Sequence, residues 1–183
     1  MGFVDGDMIT YKTLLDILPE ETTEKIAKLT DAILVNSNRQ GMIFICGNGG
    51  SAANANHFAE DLCLNKSRGL KVVSLCSNTP WITAIANDID YDYIFVEQLK
   101  SLASQNDLLI TISGSANSPN IIKAIEWGNA NGLTTFLMTG FYNGCAGKIA
   151  QNTINVPSIS MGVIESLHLF IFHYILMGVN ETK

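Results

Sequence analysis

His57 and Asp61 stand four residues apart in "SAANANHFAED", so in a helix they share one face and converge on one point. An imidazole and a carboxylate at that spacing suit a metal ion, and they equally suit a surface ion pair. A second ionisable set, Glu165, His168 and His173, falls in "ESLHLFIFH". At about 100° per residue, Glu165 and His173 are about 80° apart around a helix, with His168 about 60° to the other side. Two of the three can face a common ligand while the third serves the core. Between Met161 and Gly178, Glu165 is the only residue certain to be charged, and apolar residues surround it. A helix apolar all round is expected to be buried, and a buried carboxylate needs a cation or hydrogen-bond partners.

Two loops add polar groups of another kind. "CGNGGSA" follows the apolar run "MIFI", and "SGSANSPN" follows "LLITI". The second packs Ser113, Ser115 and Ser118 ahead of a helix start. Small residues there let backbone amides approach an anion, and hydroxyls donate without a lysine; an ordinary strand-to-helix turn with Ser118 as N-cap has the same composition. The first loop lacks the GxxxxGK[ST] order of a triphosphate site. Gly47, Gly49 and Ala52 fit GxGxxG/A, but "VVSLCS" ends without the acidic residue a dinucleotide ribose requires.

The elements that position these groups follow from periodicity. Apolar spacing from about Thr10 to Asn38 predicts two helices separated by Pro19. "GMIFIC", "LKVVSLCS", "DLLITISG", "LTTFLMTG" and "TINVPS" read as strands. Between them lie an Ala-rich helix from Ser51, near its N-cap, to about Leu64, helices in "TPWITAIANDIDYDYIFVEQLKSLA", and one in "SPNIIKAIEWGNANG" closed by Gly132. "GVIESLHLFIFHYILMG" is the last helix. Short apolar strands alternating with helices predict a parallel sheet covered on both faces, with ligands beyond the carboxyl ends of the strands near a topological switch point. "FYNGCAGK" reads as a surface loop.

At 183 residues one domain is expected. Only 15% of residues are charged against 47% hydrophobic, which favours a homo-oligomer. The net charge of −6 argues against nucleic acid as a partner, which needs clustered Lys and Arg. Cys46, Cys63, Cys76 and Cys145 form no CxxC pair, so reduced and mostly buried thiols are expected. "MGFVDGDMITYK" has no basic region leading into an apolar core, and "SLHLFIFHYILMG" reads as too short to span a bilayer, so no membrane is expected as a partner and the location is expected to be cytoplasmic.

Taken in order, "GNGGSAANANHFAED", "TAIAND", "SGSANSPNIIKAI" and "ESLHLFIFH" resemble the sugar isomerase (SIS) domain family, most closely its sedoheptulose-7-phosphate (phosphoheptose) isomerases. The likeness covers nearly the whole chain. It implies an α/β fold, a three-layer α/β/α sandwich with a five-stranded parallel sheet of Rossmann or flavodoxin-like kind. Residues 1–183 then form a single SIS domain, with an N-terminal helical segment over 1–40, packing at an oligomer interface, and an α/β core over 41–183. It also implies a homotetramer with shared active sites.

By the same resemblance Ser113, Ser115 and Ser118 hold the phosphate of a small sugar phosphate, and Asn48, Ser51 and Asp88 meet sugar hydroxyls. His57, Asp61, Glu165 and His173 match the positions that bind one Zn²⁺ per subunit, with Asp61 the base, His173 the acid, and Glu165 able to replace Asp61 as base. The implied reaction converts sedoheptulose 7-phosphate to D-glycero-D-manno-heptose 7-phosphate through an enediol, for lipopolysaccharide or another heptose-containing glycan. One alternative is an isomerase of a different ketose phosphate; another is a non-catalytic SIS module that binds a sugar phosphate as an effector, or the replication initiator protein as a tetrameric scaffold. Four positions depart from the resembled isomerases: Asp61 replaces the usual glutamate, Glu165 the usual glutamine, Asn65 the usual arginine (with Lys66 or Arg68 as substitutes), and Gly162 the usual aspartate.

Overall fold

The computed structural model describes residues 16–64 and 69–181. Among these residues, strands β1 (Met42–Gly47), β2 (Lys71–Ser74), β3 (Leu108–Ile112), β4 (Thr134–Thr139) and β5 (Asn152–Asn155) form one sheet in the order β2-β1-β3-β4-β5. Every neighbouring pair is parallel. Helices α1 (Glu20–Asn38), α2 (Gly50–Leu64), α3 (Thr79–Asp88), α4 (Val96–Leu102), α5 (Pro119–Ala130) and α6 (Met161–Glu181) cover it. Short 3-10 turns lie at Tyr91–Tyr93 and Ala146–Lys148.

Alternation along the strands divides the core into two layers. Ile43, Ile45, Leu108, Ile110, Ile112 and Met138 face α1, α2 and α6, while Phe44, Cys46, Leu109 and Leu137 face α3, α4 and α5. A strand buried on both faces is mostly apolar, and β3 is buried throughout, its one hydroxyl, that of Thr111, donating to the Phe136 carbonyl at 3.0 Å. The chain leaves β1 for β2 on one side and returns to β3 on the other. The loops after β1 and β3 therefore diverge, leaving a crevice at their carboxyl ends.

The first helix described begins just after Pro19, as the proline predicts. α2 starts at Gly50, two residues earlier than a Ser51 N-cap would allow. Ser51 is buried in its first turn, and its amide bonds the Asn48 carbonyl at 3.0 Å. α6 also departs from expectation, since it runs past Gly178 to Glu181. Gly178 does not end the helix; a side chain there would press on Thr30 of α1. At 21 residues with mean hydropathy 1.6, α6 is long and apolar enough to cross a membrane by length and composition, contrary to the shorter stretch read from sequence. It is not buried all round either. Ile164, His168, Ile171, Phe172, Ile175 and Val179 form the buried stripe, and Met161, Val163 and Met177 are exposed.

Candidate active site

The face that α2 and α6 present to each other is set by a stack of Phe58 on Phe172, both fully buried, with ring centroids 4.3 Å apart and planes 14° apart. Each ring is worth about 1.5–3 kcal/mol of burial. Their sequence neighbours, His57 and His173, are thereby brought edge to face, with Nε2 to Nε2 at 3.0 Å. Asp61, one turn after His57, directs Oδ2 to 3.5 Å from His57 Nε2 and 3.7 Å from His173 Nε2. That oxygen is buried without a hydrogen bond.

Two imidazoles and an orphaned carboxylate oxygen form a donor set suited to Zn²⁺. A tetrahedron with bonds of about 2.0–2.1 Å has edges of about 3.3–3.4 Å, and the three separations bracket that value. The residues present therefore fit the ion that the sequence anticipates. Among the described residues these three form the cluster of possible ligands, with donor atoms within 4.8 Å of one another.

Glu165 is not in that cluster. Its carboxyl group lies against Gly50, at the start of α2, so closely that a side chain at position 50 would overlap it. Its backbone carbonyl accepts from Asn54 Nδ2 at 2.9 Å, tying the two helices one turn before the trio. His168, the third member of the α6 set, is fully buried and bonds the Thr139 carbonyl through Nε2 at 3.1 Å. A carbonyl only accepts, so Nε2 carries the proton, and Nδ1 is left without a partner. Burial holds this imidazole down at a pKa of about 4. It is structural.

In the loop after β1, Gly49 takes φ +57°, a left-handed turn that lets the chain enter α2 directly. Asn48 forms a reciprocal amide pair with Asn120 of α5, both bonds at 2.9 Å, and its Oδ1 also accepts from the Tyr91 hydroxyl at 3.1 Å. Asn120 and Tyr91 were not anticipated; the tail of "NSPN" was the available signal, since a polar residue there opens a helix beside the β1 loop. Asp88 ends α3, exposed, and accepts from Asn87 Nδ2 at 2.8 Å. Asn65, Lys66 and Arg68 lie outside the described residues. Gly162 is in the open first turn of α6, where a side chain would meet nothing within 4 Å.

The serine loop has a defined shape. Ser113 is buried, Ser115 is exposed, and Ser118 occupies the N-cap position of α5 without using its hydroxyl to cap. Ala116 takes φ +53°, unusual for a residue with a side chain. The loop after β4 holds that conformation. The Cys145 amide donates to Asn117 Oδ1 at 3.0 Å, and the Ala146 amide to the Ala116 carbonyl at 2.8 Å. "FYNGCAGK" is thus a brace for the serine loop as well as a surface segment. A cleft of about 350 Å³ opens between Ser115, Tyr142, Ser158 and Met161. The amides at the start of α5 supply positive potential beside the serine loop.

All four cysteines are free thiols, but the expected burial holds only in part. Cys46 is buried and Cys76 partly so, whereas Cys63 and Cys145 are exposed. The last two sit at the end of α2 and in the brace, both edges of the fold.

Known proteins resemble this chain in sequence and in fold. The phosphoheptose isomerase of Aliarcobacter butzleri is 39% identical over 165 residues, covering 88% of this chain and 86% of that one. A phosphoheptose isomerase of Helicobacter pylori is 34% identical over 175 residues, covering 94% and 91%. The solved phosphoheptose isomerase of Neisseria gonorrhoeae superimposes with a TM-score of 0.82 at 30% identity, over 87% of this chain and 86% of that one. A family model described as the SIS domain matches residues 10–140. With a match over most of its length and relatives at 34–39% identity, the chain belongs to the SIS domain family.

Proposed function

We infer that the chain is a phosphoheptose isomerase, an intramolecular oxidoreductase that converts sedoheptulose 7-phosphate to D-glycero-D-manno-heptose 7-phosphate. The observation that carries the reading is the His57–Asp61–His173 constellation, in a chain so similar to proteins of that name. A non-catalytic SIS module has no use for such a set.

The reaction moves a hydrogen from C1 to C2 through an enediol, and a proton from O1 to O2. Asp61 is the base that removes the C1 hydrogen and returns it to C2. His173 exchanges protons with the two oxygens. Glu165 is a second carboxylate that can handle a proton, and ligation by it requires its side chain to leave Gly50. Ser113, Ser115, Ser118 and the first amides of α5 hold the phosphate, while Asn48, Ser51 and Asp88 orient the sugar. His57, Asp61 and His173 would hold one Zn²⁺ per subunit, which would supply a Lewis acid to the site.

Residues 1–183 act as a single domain, in the cytoplasm, where four free thiols persist. The exposed apolar residues of α6, with Val35 of α1, favour a homotetramer with shared active sites. Light scattering on the purified protein tests that state.

Incubation with sedoheptulose 7-phosphate, with and without added Zn²⁺, tests the function. Aldose formation that is lost in His57→Ala is expected, and no turnover in either condition would overturn the reading. Replacing Ser115 by a bulky residue should abolish sugar-phosphate binding.

A further inference from the structure

Asn48 carries a carboxamide with two donor hydrogens on Nδ2 and two acceptor positions on Oδ1. Asn120 Nδ2 and the Tyr91 hydroxyl fill both acceptor positions, at 2.9 and 3.1 Å, and Asn120 Oδ1 takes one hydrogen at 2.9 Å. One N–H remains. Because the Asn48–Asn120 pair is reciprocal, neither amide can turn over without the other. In the observed orientation the Tyr91 hydroxyl donates to Asn48 Oδ1. A hydroxyl both donates and accepts, so turning the amides over requires three groups to reverse their roles together, and both Asn48 N–H groups would then be occupied. Asn120 is almost fully buried, so it is a fixed reference for the amide it holds. The three residues come from three elements that meet beside the crevice: the β1 loop, the N-terminus of α5 and the 3-10 turn after α3.

We propose that Asn120 and Tyr91 are positioning residues that lock Asn48 as a single-hydrogen donor, so that it can serve only an acceptor oxygen of the substrate. This rests on the isomerase reading for the identity of that substrate. In that reaction the oxygens on C1 and C2 gain negative charge on the way to the enediolate. A donor already oriented toward such an oxygen stabilises the transition state more than the ground state. The unlocked amide, free to present its oxygen instead, would lose that preference. The lock acts through Asn48.

Two measurements test it. In the ¹⁵N-labelled protein, one Asn48 side-chain amide proton should exchange slowly and the other fast, and the slow one should become fast in Asn120→Ala. Equal exchange of both protons in the wild type overturns the lock, whatever the enzyme does. In steady-state turnover of sedoheptulose 7-phosphate, Asn48→Ala should lower kcat by about 10²-fold with little change in KM. Tyr91→Phe, at an exposed position, should lower kcat by about three- to tenfold and should do nothing further in the Asn48→Ala background. Additive losses would show that Tyr91 acts independently of Asn48 and would overturn the proposal. Asn120→Ala is expected to behave like Tyr91→Phe but more deeply; should it fail to fold, Tyr91→Phe still decides. A wild type that shows asymmetric exchange but no turnover would defeat the isomerase reading and leave the lock standing.

Discussion

His168 and His173 lie five residues apart on α6, and the fold treats them in opposite ways. His168 is fully buried, bonds a strand-end carbonyl and stays neutral. His173 keeps 37% of its side chain exposed and meets His57 and Asp61 across the helix pair. The residue type and the helix are the same. What differs is the surface opposite: β4 offers His168 a carbonyl acceptor, while α2 offers His173 a second imidazole and an orphaned carboxylate oxygen. A histidine's role is therefore decided by the element that packs against it.

The largest expected effect breaks the pair at His173. His173→Ala should lower kcat/KM by about 10²–10⁴-fold and strip bound zinc, as read by turnover and metal analysis. Its unfolding free energy should move by less than about 1 kcal/mol, because a half-exposed side chain contributes little packing. His168→Gln should do the reverse, retaining turnover within a few-fold while destabilising the fold. If His168→Gln lost turnover as deeply with the fold intact, the contrast between the two histidines would collapse.

Acid sharpens the same contrast. Burial lowers the His168 pKa from 6.5 to about 4. The unfolded chain takes up this proton near pH 6.5, and the folded chain only near 4. Between those values protonation favours the unfolded state. The stabilisation from keeping His168 neutral is complete above about 6.5 and is lost as pH falls toward 4, a change of about 3 kcal/mol. Denaturant melts from pH 7 to 4.5 should show this slope in the wild type and in His173→Ala, and a much shallower one in His168→Gln.

Much of this was legible from residue order. Alternation and turn residues give the five strands and the crevice between the β1 and β3 loops. The i, i+4 spacing gives the His57–Asp61 pair. The helix wheel left open which two of Glu165, His168 and His173 act together, because it fixes angles around α6 but not the neighbour on each side. The Phe58–Phe172 stack decides it, and that contact joins residues over a hundred positions apart. The brace on the serine loop was hidden for a similar reason. One of its bonds joins backbone groups of Ala146 and Ala116, which any sequence possesses, and the other seats the Cys145 amide on the Asn117 side chain, a partner that residue order does not reveal. Asn120 was silent because a lone asparagine after proline reads as helix-start chemistry until Asn48 is placed opposite it.

The smallest effect concerns Glu165, the remaining member of the Glu165, His168 and His173 set, whose carboxyl group sits at the start of α2 rather than with the trio. Its closeness to Gly50 makes the pair testable as a unit. Gly50→Ala should cost about 1–3 kcal/mol, because the new methyl must displace the carboxyl group from its place. In a Glu165→Ala background that cost should fall by about 0.5–2 kcal/mol, the coupling expected of residues in contact. Glu165→Gln keeps the shape and removes the charge. It should leave zinc near stoichiometric if His57, Asp61 and His173 suffice to hold the ion, and lost zinc would show that Glu165 swings across to complete the set. The two histidines would then no longer mark the boundary between the structural and reactive parts of α6, since its first turn would belong to the reactive part as well.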